Sequence, residues 1–295
     1  MRSMSIRSNL GRIIGVFGCF CPVLVTSYAP PLFAGPVLRQ STVHSFHPSF
    51  YSSSSLSSSA MDEISATATV PLKVLALHGS GGTAADFPKR LDALNRALAF
   101  HSSGSNGDGA NTKDPSPRLE ITAVQAPFVK NEGFSWWTMP PGVRSFNAAE
   151  YTGFEESATK VLEVWERGGF DLVIGHSQGA ILVGALLALK RTPYHPPGGY
   201  VMNGVSFPNP YTQELEALRE DSGAPVLFLL GKRDQIAPNA TGERLRDCLQ
   251  QGGFEVTSCY HEGGHGFPQE DVDDEAMTTI AEWILKQQRQ QQSSS

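Results

Sequence analysis

The chain has 295 residues, 40% of them hydrophobic, with 29 Asp and Glu against 23 Lys and Arg for a formal charge of −6. That length and apolar content can bury one large core or two small ones. The acidic balance, with no basic stripe, excludes the electrostatic footprint of a nucleic-acid binder, and no apolar run is long and unbroken enough for a stable membrane span.

Residues 1–61 stand apart from the rest. They contain no Asp, Glu or Lys, only Arg2, Arg7, Arg12 and Arg39, and carry a serine run at 52–59. An apolar stretch at 13–25, interrupted by Pro22, follows the first three arginines, and Ser27-Tyr28-Ala29 offers a small-x-small cleavage site. A signal-like segment followed by an acid-free, serine-rich one is the expected form of a two-part targeting leader. A plastid is favoured over a mitochondrion as its destination, and an internal start at Met61 would give a cytoplasmic form. The catalytic domain is expected over 70–287, and the Gln/Ser stretch 288–295 reads as a disordered tail.

The first strand is expected at 71–77, a run apolar enough to be buried on both faces. It leads into His78-Gly79-Ser80-Gly81-Gly82-Thr83, small residues that allow backbone N–H groups to converge on one point. A helix is expected over 84–100, then a solvated loop at 104–117, then a strand at 119–124. The segment 125–151 is irregular and rich in large side chains. Trp137, Trp136 and Met139 in it are the candidate walls of a substrate pocket. Residues 151–167 carry a helical apolar stripe at Phe154, Ala158, Val161, Leu162 and Trp165.

At 170–189 a short apolar run ends in Gly175-His176-Ser177-Gln178-Gly179, and an apolar stretch of helical length follows. This is the layout of a nucleophile elbow, a strand and a helix joined by a turn that exposes a serine. Strands are expected at 200–207 and 225–230, a helix at 242–251, a strand at 254–260 and a last helix at 271–286. Strands alternating with helices imply a mostly parallel sheet with helices on both faces, whose sites gather at the carboxyl ends of the strands.

Ser177, Asp234 and His265 each follow an expected strand, in the order that α/β-hydrolases use. His261 also follows the last strand, but His265 lies in a glycine-flanked loop able to reach the serine. Asp171 is at the wrong edge of the sheet and Asp247 is inside a helix. His78 and His176 read as structural hydrogen-bonding groups. The backbone amides of Gln178 and Ser80, with Gly81 as the alternate to Ser80, are the expected oxyanion donors. Cys248 and Cys259 lack metal-ligand spacing and read as reduced, small apolar side chains, so neither a metal nor an organic cofactor is called for.

Several of these motifs together resemble the FSH family of serine hydrolases. They are Leu77-His78-Gly79, the Trp136-Trp137 pair, Tyr151-x-Gly153-x-Glu155-x-Ser157, the Ser177 pentapeptide, Gly231-x-x-Asp234 and Gly264-His265-x-x-Pro268. The resemblance covers about 70–287 and implies an α/β-hydrolase fold with little or no separate cap domain. It also implies a triad of Ser177, Asp234 and His265 acting on small-molecule acyl esters or thioesters. One departure is the Gly79-Ser80-Gly81-Gly82 run after His78, where the family often carries a bulkier residue and an Asn. The expected reaction is ester hydrolysis through an acyl-enzyme. The alternatives are an acyl thioesterase or, in a different class, a ligand-binding protein of the same fold without turnover, which would need none of the three triad residues.

Overall fold

The computed structural model describes residues 71–102, 118–220, 222–269 and 273–294. The expected leader at 1–61, with Met61 and the cleavage site, and the expected loop at 104–117 lie outside the described residues.

The first strand, β1, is Leu72–Leu77. A 3-10 turn at Pro88–Leu91 then leads into helix α1, Asp92–Ser102. This helix begins later than the expected residue 84. The Thr83 hydroxyl oxygen accepts from the Asp86 N–H at 3.0 Å and the same hydroxyl donates to the Asp86 carboxylate at 2.8 Å. That local turn competes with helix, and Pro88 supplies no N–H to continue one. Strand β2 is Leu119–Val124. The segment expected to be irregular contains a small antiparallel hairpin of β3, Phe128–Lys130, and β4, Gly133–Ser135, turning through Asn131 at φ 54°.

Helix α2 (Phe154–Gly168), strand β5 (Leu172–His176) and helix α3 (Gln178–Ala188) follow. Strand β6 is Tyr200–Asn203, shorter than expected because Gly204, at φ 55°, turns the chain out of the sheet. A short helix α4 (Thr212–Glu216) precedes strand β7 (Pro225–Gly231), helix α5 (Asn239–Gln251) and strand β8 (Glu255–His261). The last helix, α6, is Asp274–Ser294. It continues through the glutamine run expected to be a disordered tail. Glutamine is a good helix former, and Gln287 is buried.

The six long strands pair in parallel in the order β2-β1-β5-β6-β7-β8. Right-handed crossovers put helices on opposite faces wherever the direction of strand addition reverses, and here that reversal falls between β1 and β5. Side-chain alternation then divides the core in two. Leu75, Leu77, Val173 and Phe228 face the layer of α2, α3 and α5, where Trp165, Leu186 and Leu249 are buried. Val74, Ala76, Ile174 and Leu227 face α1 and α6, where Leu94, Leu98 and Ile280 are buried. Strands covered on both faces must be mostly apolar, which accounts for the apolar runs at 74–77 in β1 and in β5 and β7.

This is the α/β-hydrolase fold, with a mostly parallel sheet and helices on both faces. Among the described residues no separate cap is built. The connection from β6 to β7 holds, among its described residues, only one 3-10 turn and the five-residue α4. No described helix is long and apolar enough to cross a membrane.

Candidate active site

The switch between β1 and β5 leaves a crevice at the strands' carboxyl ends, where ligands of open α/β sheets bind. Ser177 occupies it, between β5 and α3, at φ 49° and ψ −117°. A non-glycine residue with positive φ is strained, and such strain persists only where the surroundings fix it. Here packing and backbone bonds fix it. A Cβ on Gly175 would lie 2.6 Å from the Ala180 Cα, and one on Gly179 would lie 2.3 Å from the Leu77 carbonyl oxygen. The Ser177 N–H donates to the Asn203 carbonyl at 2.9 Å, tying the turn to the end of β6.

The structure brings together the three side chains singled out from sequence. His265 Nε2 is 2.7 Å from Ser177 Oγ, and His265 Nδ1 is 2.7 Å from Asp234 Oδ2. Asp234 is almost fully enclosed, with 2% of its side chain exposed, whereas His265 keeps 14%. The other carboxylate oxygen of Asp234 accepts the N–H groups of Ile236 at 2.8 Å and Ala237 at 2.9 Å. With both oxygens engaged, the carboxylate has one orientation, and that orientation aims it at the imidazole.

The loops carrying the acid and the histidine are stitched to each other. Lys232 N–H donates to the His261 carbonyl at 2.8 Å and Arg233 N–H to the Gly263 carbonyl at 3.0 Å. A Cβ at Gly231 would meet the Gly264 oxygen at 2.0 Å, so this approach requires glycine there.

His176 packs beside these three side chains, its ring 5.2 Å from that of His265. Its Nδ1 accepts from the Asn203 side-chain amide at 2.8 Å, and burial, reinforced by the neighbouring His265, pushes its pKa down to about 3. It is therefore a neutral packing ring rather than a base. His78 is buried too. Its Nδ1 donates to the Gly79 carbonyl at 2.8 Å, while Nε2 accepts from the Ala126 N–H at 3.1 Å. Burial holds its pKa below the ordinary value. Both act as structural hydrogen-bonding groups, as expected. His261 is buried beside Asp273, its Nδ1 3.6 Å from the carboxylate, and the structure gives it no contact with Ser177.

Of the amides expected to bind an oxyanion, Gly81 is committed elsewhere, since its N–H donates to the Phe134 carbonyl at 2.7 Å. Among the described residues no acceptor takes the N–H of Ser80 or Gln178. Both residues line the same cavity as Ser177 and His265. The Gln178 amide is also at the first turn of α3, where backbone N–H groups lack helical partners and carry partial positive charge.

The cavity in front of the serine is about 100 Å³, and Met139 lines it. Trp137 and Trp136, expected as further walls, do not. They are 1% and 0% exposed and belong to the core between the sheet and α2. The Trp136 N–H donates to Gln178 Oε1 at 2.8 Å and its indole N–H to the His78 carbonyl at 2.7 Å. These bonds draw the pair under the β1 loop, and Trp137 stacks on Tyr151 with ring centroids 4.2 Å apart.

Side-chain roles that sequence reasoning did not assign complete the site. The Gln178 side chain clamps both tryptophan backbones, its Nε2 donating to the Trp137 carbonyl at 3.2 Å, and the Ser157 hydroxyl donates to the Trp136 carbonyl. Asn203 ties Ser177, His176 and the His265 carbonyl together. The extended motifs around Ser157 and Gln178 carried the signal for two of these residues; no local signal marks Asn203. Cys248 and Cys259 are unpaired thiols. Among the described residues no group of three or more His, Cys, Asp or Glu is arranged to hold a metal.

The family model described as serine hydrolase (FSH1) matches residues 68–277. An esterase of Xenopus tropicalis, OVCA2, is 28% identical over 205 residues, covering 67% of this chain and 86% of its own. An esterase of Drosophila melanogaster is 28% identical over 223 residues, covering 73% of this chain and 75% of its own. Among solved structures, Arabidopsis thaliana SOBER1 superposes with a TM-score of 0.52 at 18% identity, covering 74% of this chain and 99% of its own. At that identity the likeness speaks for the fold alone.

Proposed function

This chain belongs to the FSH1 family of serine hydrolases and is an ester-hydrolysing enzyme, and from that premise we propose that Ser177, His265 and Asp234 cleave acyl esters of small molecules through an acyl-enzyme. The observation that carries the reading is the pair of 2.7 Å contacts linking serine to imidazole and imidazole to carboxylate.

Ser177 Oγ attacks the ester carbonyl carbon while His265 Nε2 takes the hydroxyl proton. Asp234 holds the proton on Nδ1, leaving Nε2 as the acceptor, and its charge stabilises the imidazolium that forms. Negative charge develops on the carbonyl oxygen, which the amides of Gln178 and Ser80 receive. Each such donor is worth roughly 3 kcal/mol in comparable holes. When the tetrahedral intermediate collapses, the imidazolium protonates the departing alkoxide and the acyl group remains on Ser177. Water, deprotonated by the same imidazole, then releases the carboxylic acid and restores the serine.

The test is Ser177→Ala assayed with a chromogenic ester and a fluorophosphonate label. Turnover and labelling should both vanish in a variant whose melting temperature stays close to that of the parent. A Ser177→Ala protein that still takes the label would place the nucleophile elsewhere.

A further inference from the structure

The cavity in front of Ser177 is unbalanced in charge. Its Lys and Arg side chains are those of Lys130 and Arg144, and no carboxylate joins them in the lining. This is unexpected in a chain with a formal charge of −6. Elsewhere on the surface Lys89, Arg191, Lys232 and Arg244 each pair with a carboxylate. Among the described residues neither Lys130 nor Arg144 has such a partner. The nearby acids Asp86 and Glu132 line the adjoining groove instead.

Both cationic residues are carried to the cavity lining by bonded segments. Lys130 ends β3, and its ammonium donates to Ser80 Oγ at 2.7 Å, which places it beside the amide assigned to the oxyanion. Arg144 opens a 3-10 turn at Ser145–Asn147. Its own N–H donates to the Asn147 side chain at 2.9 Å, and the Tyr151 hydroxyl fastens the turn by donating to the Ser145 carbonyl at 2.8 Å. The same lining includes the apolar Met139, Phe146, Ile181 and Ile236.

A neutral acyl chain could use that apolar lining but would leave both cations idle. A substrate with an anionic group a few bonds from its carbonyl would engage both. The guanidinium fork suits the two oxygens of a carboxylate or phosphate, and the ammonium adds a point charge. We propose that the site takes acyl esters or thioesters bearing a second, anionic group, carboxylate or phosphate, held between Lys130 and Arg144. The proposal rests on the reading of Ser177 as nucleophile.

The experiment reads a ratio, the kcat/KM of an anionic substrate divided by that of a neutral one of the same acyl-chain length. One arm compares 4-nitrophenyl hemiglutarate with 4-nitrophenyl valerate, which places the charge on the acyl side. The other compares butyryl-coenzyme A with butyryl-N-acetylcysteamine, which places phosphate on the leaving group. In the unmodified enzyme at least one ratio should exceed about tenfold and shrink as salt is raised. The same ratio should fall about fivefold to tenfold in Lys130→Gln and in Arg144→Gln, and further in the double variant. Taking ratios removes any change common to both substrates, including one caused by the loss of the Lys130–Ser80 bond. The arm that responds identifies the source of the anion. Ratios near one in both arms, or ratios that the two substitutions leave unaltered, would overturn the proposal. Neither result would touch Ser177, whose own test is loss of turnover on the neutral ester. Turnover surviving in Ser177→Ala would instead remove the premise.

Discussion

The elbow at 172–188 and the segment at 125–151 meet over the same few ångströms of the site, yet they are built by different means. The elbow is a local construction. Its strand, its glycines and its helix are consecutive, and Ser177 is held at positive φ by backbone packing against β1 and by one bond to β6. The other segment has almost no regular structure of its own. It is held from outside by single side chains far away in sequence, with Gln178 and Ser157 gripping Trp136 and Trp137, and His78 receiving the Ala126 amide. Reactive geometry thus rests on backbone sterics on one side of the cavity and on buried polar bonds on the other. Changes in the first region should act mainly on the reaction or on the turn itself. Changes in the second should act first on stability and reach the reaction only through position.

The largest effect should come from Asp234→Asn. An amide cannot accept the Nδ1 proton as a carboxylate does, so His265 would present the wrong tautomer to Ser177. We expect kcat/KM to fall by about 10³ to 10⁴. Melting should shift little, because the Asn side-chain oxygen can still accept the Ile236 and Ala237 amides. A fall below tenfold would mean that the carboxylate does not orient the base. Gly179→Ala ranks next. Its Cβ would lie 2.3 Å from the Leu77 carbonyl oxygen, a backbone atom that cannot turn aside. Overpacking of that kind costs about 3 kcal/mol, measurable by urea unfolding. An alanine there without loss of stability would show that the elbow is looser than its contacts imply.

The contrast between the two regions also explains what could be read from the sequence. The elbow, the strand ends and the Ser177, Asp234, His265 order were legible because each rests on residues adjacent in the chain and on the two-residue alternation of strands. The sheet followed from the same runs. The fate of Trp136 and Trp137 did not, because whether an aromatic residue lines a cavity or the core beside it depends on partners 21 to 58 positions away. Composition alone suits both outcomes. Helix α1 starts later than expected because of the Thr83 hydroxyl and Pro88. Lys130 and Arg144 look like ordinary surface residues until the hairpin and the 3-10 turn carry them to one rim.

Acid provides a milder way of loading the elbow. His176 is buried, and its pKa is lowered from 6.5 to about 3. An unfolded chain would bind that proton near 6.5, whereas the folded chain resists until about 3. The unfolded state therefore holds more protons throughout this window, and stability must fall as pH falls. Full stability is present above 6.5, and the loss begins there and levels off below about 3. At pH 5 His176 alone should account for about 2 kcal/mol. His78 and His261, also shifted downward by burial, add in the same direction. Urea midpoints from pH 7.5 to 5 should show this slope, and His176→Gln should flatten it. An unchanged slope in the variant would mean that the proton is taken up elsewhere.

The smallest expected effect bears most directly on the comparison, because it asks whether the second region is clamped as a unit. Gln178→Ala would strip the Trp136 N–H of its acceptor and the Trp137 carbonyl of a donor, both in a buried setting. An unmet buried amide costs about 1 to 2 kcal/mol. The backbone N–H of residue 178, the group assigned to the oxyanion, survives the substitution. Turnover should therefore decline severalfold at most while stability drops. Ser157→Ala removes the other grip, at the Trp136 carbonyl. If the two act on one rigid segment, the double variant should lose less than the sum of the single losses, since the first release already frees what the second was holding. Strict additivity would make them independent anchors, and the wall opposite Ser177 would then be two separate pieces of chain rather than one.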